Sequence, residues 1–285
     1  MLCRVLLVDD DPLVVSALRR ELLRKPDLGN EGIEIESFPD APSALSRAAE
    51  SDGFFDVAIV DYRMRGMDGI RFLEKLRVAQ PDTIRILLTG LLDMEGAIAA
   101  INDARVDQVV LKPWGEYDLK TRILLAMQQR KLLRRLSEMP VDAPASPSRY
   151  SILLVDDETS QLHALERELS LQGRATRGAN PLFDIMTEST PAAALVMALQ
   201  RCPDIVIADY QMPKMDGVML LEKVQEACPG SVRILMSGVP ATQVLVDAIN
   251  RAGVYHFVSK PWEAVALRAV IAEALRYRDL ILKAG

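Results

Sequence analysis

The sequence predicts an α/β fold: two doubly wound (βα)5 domains in tandem, each built on a five-stranded parallel sheet with helices on both faces. Three observations carry this expectation. The chain has 285 residues, which is room for about two domains at roughly 100 to 200 residues each. An internal repeat brings Leu6-Leu7-Val8-Asp9-Asp10-Asp11 back as Leu153-Leu154-Val155-Asp156-Asp157-Glu158. It also returns Val60-Asp61-Tyr62-Arg63-Met64 as Ala208-Asp209-Tyr210-Gln211-Met212, Leu88-Thr89-Gly90 as Met236-Ser237-Gly238, and Lys112-Pro113-Trp114 as Lys260-Pro261-Trp262. From Asp61 onward the partners lie 148 positions apart, so the unit is a duplicated domain and not a short solenoid repeat. Third, within each copy short Val/Ile/Leu runs alternate with longer amphipathic stretches, the pattern of parallel strands joined by crossover helices.

The elements follow in order. An apolar run places the first strand near 4–8, and Asp9 to Asp11 end it before a helix near 12–25. A strand near 33–37 and a helix near 42–51 come next, then a strand near 56–60 that stops at Asp61. Met67-Asp68-Gly69 leads into a helix near 69–79. Strands near 84–88 and 107–111 flank a helix near 93–104, and a last helix is expected over 116–137. The second copy repeats the order, with strands near 151–155, 182–187, 204–208, 232–236 and 255–259. Five strands alternating with five helices suggest the flavodoxin-like strand order 2-1-3-4-5, in which sites form at the carboxyl ends of the strands. Between the copies, Pro140, Pro144 and Pro147 stand among Ala and Ser, a linker composition. The expected organisation is a first domain over 1–138, a linker over 139–149 and a second domain over 150–285.

Composition removes several functions. Apolar residues are 49% and charged residues 26% of the chain, the balance of an ordinary globular protein. The formal charge of -6, shared evenly by the halves, gives no overall pull toward nucleic acid or an anionic membrane. The early apolar run is cut by three Asp residues, so neither a signal peptide nor a spanning segment is expected, and the chain reads as cytoplasmic. Cys3, Cys202 and Cys228 show no CxxC spacing, and His163 and His256 stand alone, so neither a disulfide framework nor a zinc site is expected. Cys202 and Cys228, each before a Pro at a helix end, read as inert fillers. The basic run Arg130 to Arg135 reads as a solvated helix face, and Leu132, Leu133, Leu136 and Met139 continue an apolar stripe that another element or chain would cover.

The chemistry lies at the strand ends. Asp9, Asp10 and Asp61 all follow apolar strands, as do Thr89 and Lys112. Taken singly, an Asp there is what helix capping asks for; the complete set occurring twice is not. Adjacent first and third strands gather three carboxylates at one edge, where repulsion is costly without a cation, and a hard divalent ion with oxygen ligands relieves it. With Lys112 and Thr89 nearby, a phosphoryl group would meet a metal, an ammonium and a hydroxyl, which is what phosphoryl transfer needs.

On these motifs both halves resemble receiver domains of two-component response regulators. The resemblance covers nearly the whole chain apart from the linker. It implies phosphoacceptors at Asp61 and Asp209, with phosphoryl-gripping groups at Thr89, Lys112, Ser237 and Lys260. It implies Mg²⁺ as cofactor, held by Asp10, Asp61 and the backbone oxygen of Arg63, with Asp9 acting through water, and in the second copy by Asp157, Asp209 and the backbone oxygen of Gln211, with Asp156 acting through water. It implies a histidine kinase or phosphotransfer protein as donor, a downstream protein as output partner, and a homodimer through the helix 4, strand 5 and helix 5 faces. No direct nucleic-acid or membrane contact is expected, and no enzyme activity beyond Mg-dependent self-phosphorylation and self-dephosphorylation. Two departures concern tuning. Arg65 stands where the family usually has Pro, as at Pro213. The position three before the Lys, often aromatic in the family, is Val109 in the first copy and Phe257 in the second, so an aromatic rotating into space left by the hydroxyl residue is expected only in the second. Arg63 and Gln211, two residues after the acceptors, would lean over the phosphoryl group, and Leu91 and Val239 offer no group to position water, so slow acyl phosphate decay is expected, at least in the first domain. Trp114 and Trp262 are expected to pack. Two other readings stand beside this one: a phosphate sink or relay between the receivers, and the regulatory part of a longer protein such as a cyclic-di-GMP phosphodiesterase (HD-GYP). A haloacid-dehalogenase-like phosphatase fits poorly, because Arg63 and Gln211 stand where it needs a second Asp.

Overall fold

The computed structural model describes residues 2–23, 32–50, 52–114, 119–124, 127, 149–175, 182–238 and 240–283. The chain divides into two compact units. In the first, β1 (Leu2–Val8), α1 (Pro12–Leu23), β2 (Gly32–Phe38), α2 (Ala41–Ala48), β3 (Val57–Asp61), α3 (Gly69–Ala79), β4 (Ile84–Thr89), α4 (Met94–Asn102) and β5 (Gln108–Leu111) are followed by α5, helical at residues 119–124. The strands are parallel and ordered β2-β1-β3-β4-β5. The second unit runs β6 (Arg149–Val155), α6 (Thr159–Ala175), β7 (Leu182–Glu188), α7 (Pro191–Arg201), β8 (Ile205–Asp209), α8 (Gly217–Ala227), β9 (Val232–Ser237), α9 (Thr242–Asn250), β10 (His256–Ser259) and α10 (Ala264–Lys283). Its sheet, β10-β9-β8-β6-β7, has the same order read from the other edge. This is the flavodoxin-like 2-1-3-4-5 arrangement expected from the alternation, found twice.

Sequence explains why these segments take these places. The central strands β3, β4 and β8 are buried along their whole length, as uninterrupted apolar runs covered on both faces must be. Val5, Leu7, Ile59, Ile86 and Leu88 of the first sheet meet Leu18 and Leu22 of α1 and Leu119 and Ile123 of α5 in one core cluster. Ile152, Leu154, Ile207 and Ile234 meet Leu165, Leu169, Leu267 and Ile271 in its counterpart. Trp114 and Trp262 pack partly buried against these clusters, the role expected of them.

Helix starts carry their own signals. Asp68 caps α3 by accepting from the Arg71 N–H, and Asp216 caps α8 by accepting from the Met219 N–H. Asp93 caps α4 through the Gly96 N–H, whereas Ala241, at the same place before α9, makes no side-chain cap.

Three sequence expectations need comment. The 139–149 linker lies outside the described residues except for Arg149, which already opens β6. The Arg130 to Arg135 run and the Leu132, Leu133, Leu136, Met139 stripe also fall outside them. The expectation that Cys202 and Cys228 are isolated fillers is corrected: a disulfide joins them, with Cα atoms 5.4 Å apart. Consecutive helices α7 and α8 end side by side, and each ends on one of the two cysteines. Among the described residues no helix is long and apolar enough to cross a membrane.

Candidate functional site: two acidic pockets bridged by lysine

Strand register assembles the site. Val8 of β1 pairs with Val60 of β3, which brings Asp9 level with Asp61. Thr89, the last residue of β4, pairs with Leu111, so Lys112 emerges one step further along the neighbouring edge. Val155 pairs with Ala208 and Ser259 with Ser237, which repeats the construction with Asp156, Asp209 and Lys260. Carboxylate oxygens of Asp9, Asp10 and Asp61 lie within 4.8 Å of one another, as do those of Asp156, Asp157 and Asp209.

The inner carboxylates are dry: Asp9 and Asp156 are 2% exposed, Asp61 and Asp209 7%. Each finds defined partners. Lys112 Nζ donates to Asp9 Oδ2 at 2.9 Å and to Asp61 Oδ1 at 2.6 Å. Lys260 Nζ lies 2.7 Å from Asp156 Oδ2 and 2.5 Å from Asp209 Oδ1. The second oxygen of each acid accepts a backbone N–H two residues on: Asp11 to Asp9, Arg63 to Asp61, Glu158 to Asp156 and Gln211 to Asp209. Burial pushes the Asp9 and Asp209 carboxyls above the usual carboxylate range, against the pull of these hydrogen bonds and the lysine. Burial would lower Lys112 and Lys260, but their hydrogen bonds to the acids outweigh it and raise both. The ammonium is therefore held charged where it bridges the two buried acids.

The remaining candidates sit around this pair. Thr89 Oγ1 donates to the Leu91 carbonyl at 2.8 Å. Arg63 and Gln211 are exposed. Arg65, notable in the sequence only for standing where the family usually has Pro, places its guanidinium 3.7 Å from Asp10 Oδ2 and adds a positive charge at the pocket rim. Leu91 is exposed, and Val239 lies outside the described residues. Val109 and Phe257 are both buried. Phe257 thus stands inside already, so the structure gives the expected inward rotation no outward starting point. His163 is exposed on α6.

The response regulator receiver domain family matches residues 5–124 and 152–272. The chain belongs to this family, twice over. Each receiver spans one of the two units and carries one of the two acidic pockets, consistent with phosphoryl-accepting two-component signalling. Among curated relatives, the chain is 30% identical over 135 residues to the hydrogenase transcriptional regulatory protein HoxA of Cupriavidus necator, covering 47% of this chain and 26% of that protein. It is 31% identical over 172 residues to the response regulator MprA of Mycobacterium bovis (strain BCG), covering 60% of this chain and 67% of that one. The chain spans about a quarter of the length of the HoxA proteins it matches. A solved signal receiver domain of an HD domain-containing protein from Pseudomonas fluorescens Pf-5 is 28% identical, covering 49% of this chain and 96% of that one, with a TM-score of 0.41. The acidic triads are of the kind that receivers use for Mg²⁺.

Proposed function

We propose that both receivers accept phosphoryl groups, on Asp61 and Asp209, from a histidine kinase or phosphotransfer protein, and that the acquired charge alters contacts with a downstream protein. One observation carries this reading: in each receiver a lysine bridges two buried carboxylates at a strand edge, beside a third acid that reaches solvent.

Three carboxylates with oxygens this close form a donor set for a hard divalent cation such as Mg²⁺. Asp9, Asp10, Asp61 and the Arg63 backbone oxygen would hold it in receiver 1, and Asp156, Asp157, Asp209 and the Gln211 backbone oxygen in receiver 2. When bound, the ion supplies positive charge against the phosphoryl oxygens. The chain's own residues do the rest. An Asp61 carboxylate oxygen attacks phosphorus, the bond to the donor breaks, and the leaving group departs with its electron pair. Lys112 releases Asp61 Oδ1 to meet a phosphoryl oxygen, and Thr89 turns its hydroxyl from the Leu91 carbonyl toward another. Lys260 and Ser237 act likewise in receiver 2. The working domain limits are 1–138 and 150–285, joined by 139–149, in a cytoplasmic protein that pairs through the faces of helix 4, strand 5 and helix 5 of its receivers. The reading assigns the chain no enzyme activity apart from its own phosphorylation and dephosphorylation.

Intact mass after acetyl phosphate and Mg²⁺ tests the assignment. Wild type is expected to gain two phosphoryl groups, Asp61→Ala and Asp209→Ala one each, and the double variant none; a chelator prevents all uptake. An unchanged count in either single variant removes that Asp as acceptor. Decay followed on the same samples is expected to be slow, at least in receiver 1, because the exposed Arg63 side chain two residues after Asp61 would lean over its phosphoryl group and limit the approach of water; fast decay unchanged in Arg63→Ala contradicts this.

A further inference from the structure

The second receiver carries a feature that phosphoryl transfer does not use. Cys202 and Cys228 cap the C-terminal ends of α7 and α8. This is the far end of the domain from the acidic pocket, because α8 begins against Asp209 and runs away from it for 11 residues, about 16 Å at 1.5 Å per residue. Cys202 is exposed and holds a left-handed backbone, φ 40°, with its N–H donating to the Ala198 carbonyl at 2.8 Å. Cys228 is buried. Their Cα separation of 5.4 Å lies within the disulfide range.

Receiver 1 ties the same seam in another way. The positions equivalent to Cys202 and Cys228 are Phe54 and Gln80. Gln80 is buried at the end of α3, and its amide donates to the Ala48 and Gly53 carbonyls at 2.8 and 2.7 Å. Its oxygen accepts from the Phe55 N–H and the Thr83 hydroxyl, both at 3.0 Å. One receiver thus fastens the end of its third helix with hydrogen bonds that no oxidant touches, and the other does so through sulfur.

Cys202 is solvent-exposed and Cys228 stands within disulfide reach of it, which supplies the access and the resolving partner that a redox-responsive cysteine needs. In a cytoplasmic protein a disulfide is more often a transient redox response than a permanent staple. We infer that Cys202 and Cys228 form a reversible redox staple confined to receiver 2, with a peroxide as oxidant. The Cys202 thiol gives up its proton, the thiolate attacks a peroxide oxygen, the O–O bond breaks, and the departing hydroxide takes up that proton, leaving a sulfenic acid and water. The Cys228 thiol then displaces water from that sulfur and closes the disulfide. Two thiols and one hydrogen peroxide thus yield one disulfide and two waters, the sulfurs oxidised and the peroxide reduced. A thiol reductant reverses the change.

The test uses the full chain, reduced, freed of reductant and then exposed to hydrogen peroxide. Intact mass is expected to fall by two hydrogens, and peptide mapping to find one cross-link joining the Cys202 and Cys228 peptides. Cys202→Gly suits the left-handed backbone at this position and is expected to abolish the cross-link without disturbing the fold. In Cys228→Ser, Cys202 is expected to stop at the sulfenic acid and be trapped by dimedone. The melting transition of receiver 2 is expected to rise by about 5 to 10 °C on oxidation, and not to rise in Cys202→Gly. Three thiols surviving peroxide, a cross-link to Cys3, or Cys202 passing to sulfinic or sulfonic acid without a cross-link would each overturn the inference.

Discussion

Gly69→Ala is expected to destabilise receiver 1 by about 3 kcal/mol and to pull Asp61 out of its pocket. A Cβ at Gly69 would stand 2.1 Å from the Asp61 carbonyl oxygen and 3.0 Å from its carbon. Neither atom can swing aside, because both belong to the backbone of a strand paired on two sides. The start of α3 would have to lift, breaking the hydrogen bond from the Gly69 N–H to the Tyr62 carbonyl at 2.9 Å. Gly217→Ala meets the Asp209 carbonyl oxygen at 2.2 Å and is expected to behave alike in receiver 2. Gly66 is the contrast. It has φ +83° but open space around it, and Lys214 takes the equivalent backbone in receiver 2 at φ 69°, so Gly66→Ala is expected to cost only about 1 kcal/mol. Urea unfolding of the three variants, with phosphoryl uptake measured beside it, checks the order. A Gly69→Ala loss no larger than that of Gly66→Ala would show that the helix accommodates the methyl.

Lys112→Ala is expected to act on stability and on chemistry together. It leaves the buried Asp9 and Asp61 facing one another without their shared ammonium, and breaking a buried pair by removing one partner costs about 3 kcal/mol. The pH dependence fixes the cause. A carboxyl raised above its unfolded value contributes stability at low pH and loses it as pH rises through the folded value. The Asp9 carboxyl is already raised by burial, and losing the lysine raises it further. The deficit of Lys112→Ala should therefore be largest near neutral pH and shrink as the solution is acidified through the carboxylate range. Added Mg²⁺ is expected to recover part of it at neutral pH. Phosphoryl uptake on Asp61 should fall by about 100-fold, with Asp209 in the same molecule as the unaltered reference. A deficit independent of pH would point to lost packing of the lysine stem instead of lost charge.

Much of this architecture is legible in the sequence because it rests on local patterns. Apolar runs such as Val57 to Val60 report strands, and Asp68 and Asp216 report helix starts. The placing of Asp9, Asp61, Thr89 and Lys112 immediately after strands predicts their assembly once the strand order is assumed. What sequence does not carry is contact between residues whose proximity depends on how helix ends meet. Cys202 and Cys228 are 26 positions apart with no metal or redox spacing. The only local hint is that each stands before a Pro at the end of a consecutive helix, which places both at the same level of the domain. Gln80 is a similar case, since nothing around it announces that a polar side chain will be buried and fully bonded. The reach of Arg65 to Asp10 depends on a rotamer, which no pattern of neighbours fixes.

The unequal caps of α4 and α9 bear on how such a chain divides its labour. Asp93 satisfies a donor in the first turn of α4, and Ala241 offers α9 nothing equivalent. Missing caps of this kind are worth about 1 kcal/mol, which at room temperature is roughly a fivefold change in a local opening equilibrium. Amide hydrogens in the first turn of α9 should accordingly exchange faster than those of α4. Duplication preserved the reactive groups in both copies while letting the pliability of their surroundings drift apart, so two domains with the same chemistry can differ in how readily a partner remodels them.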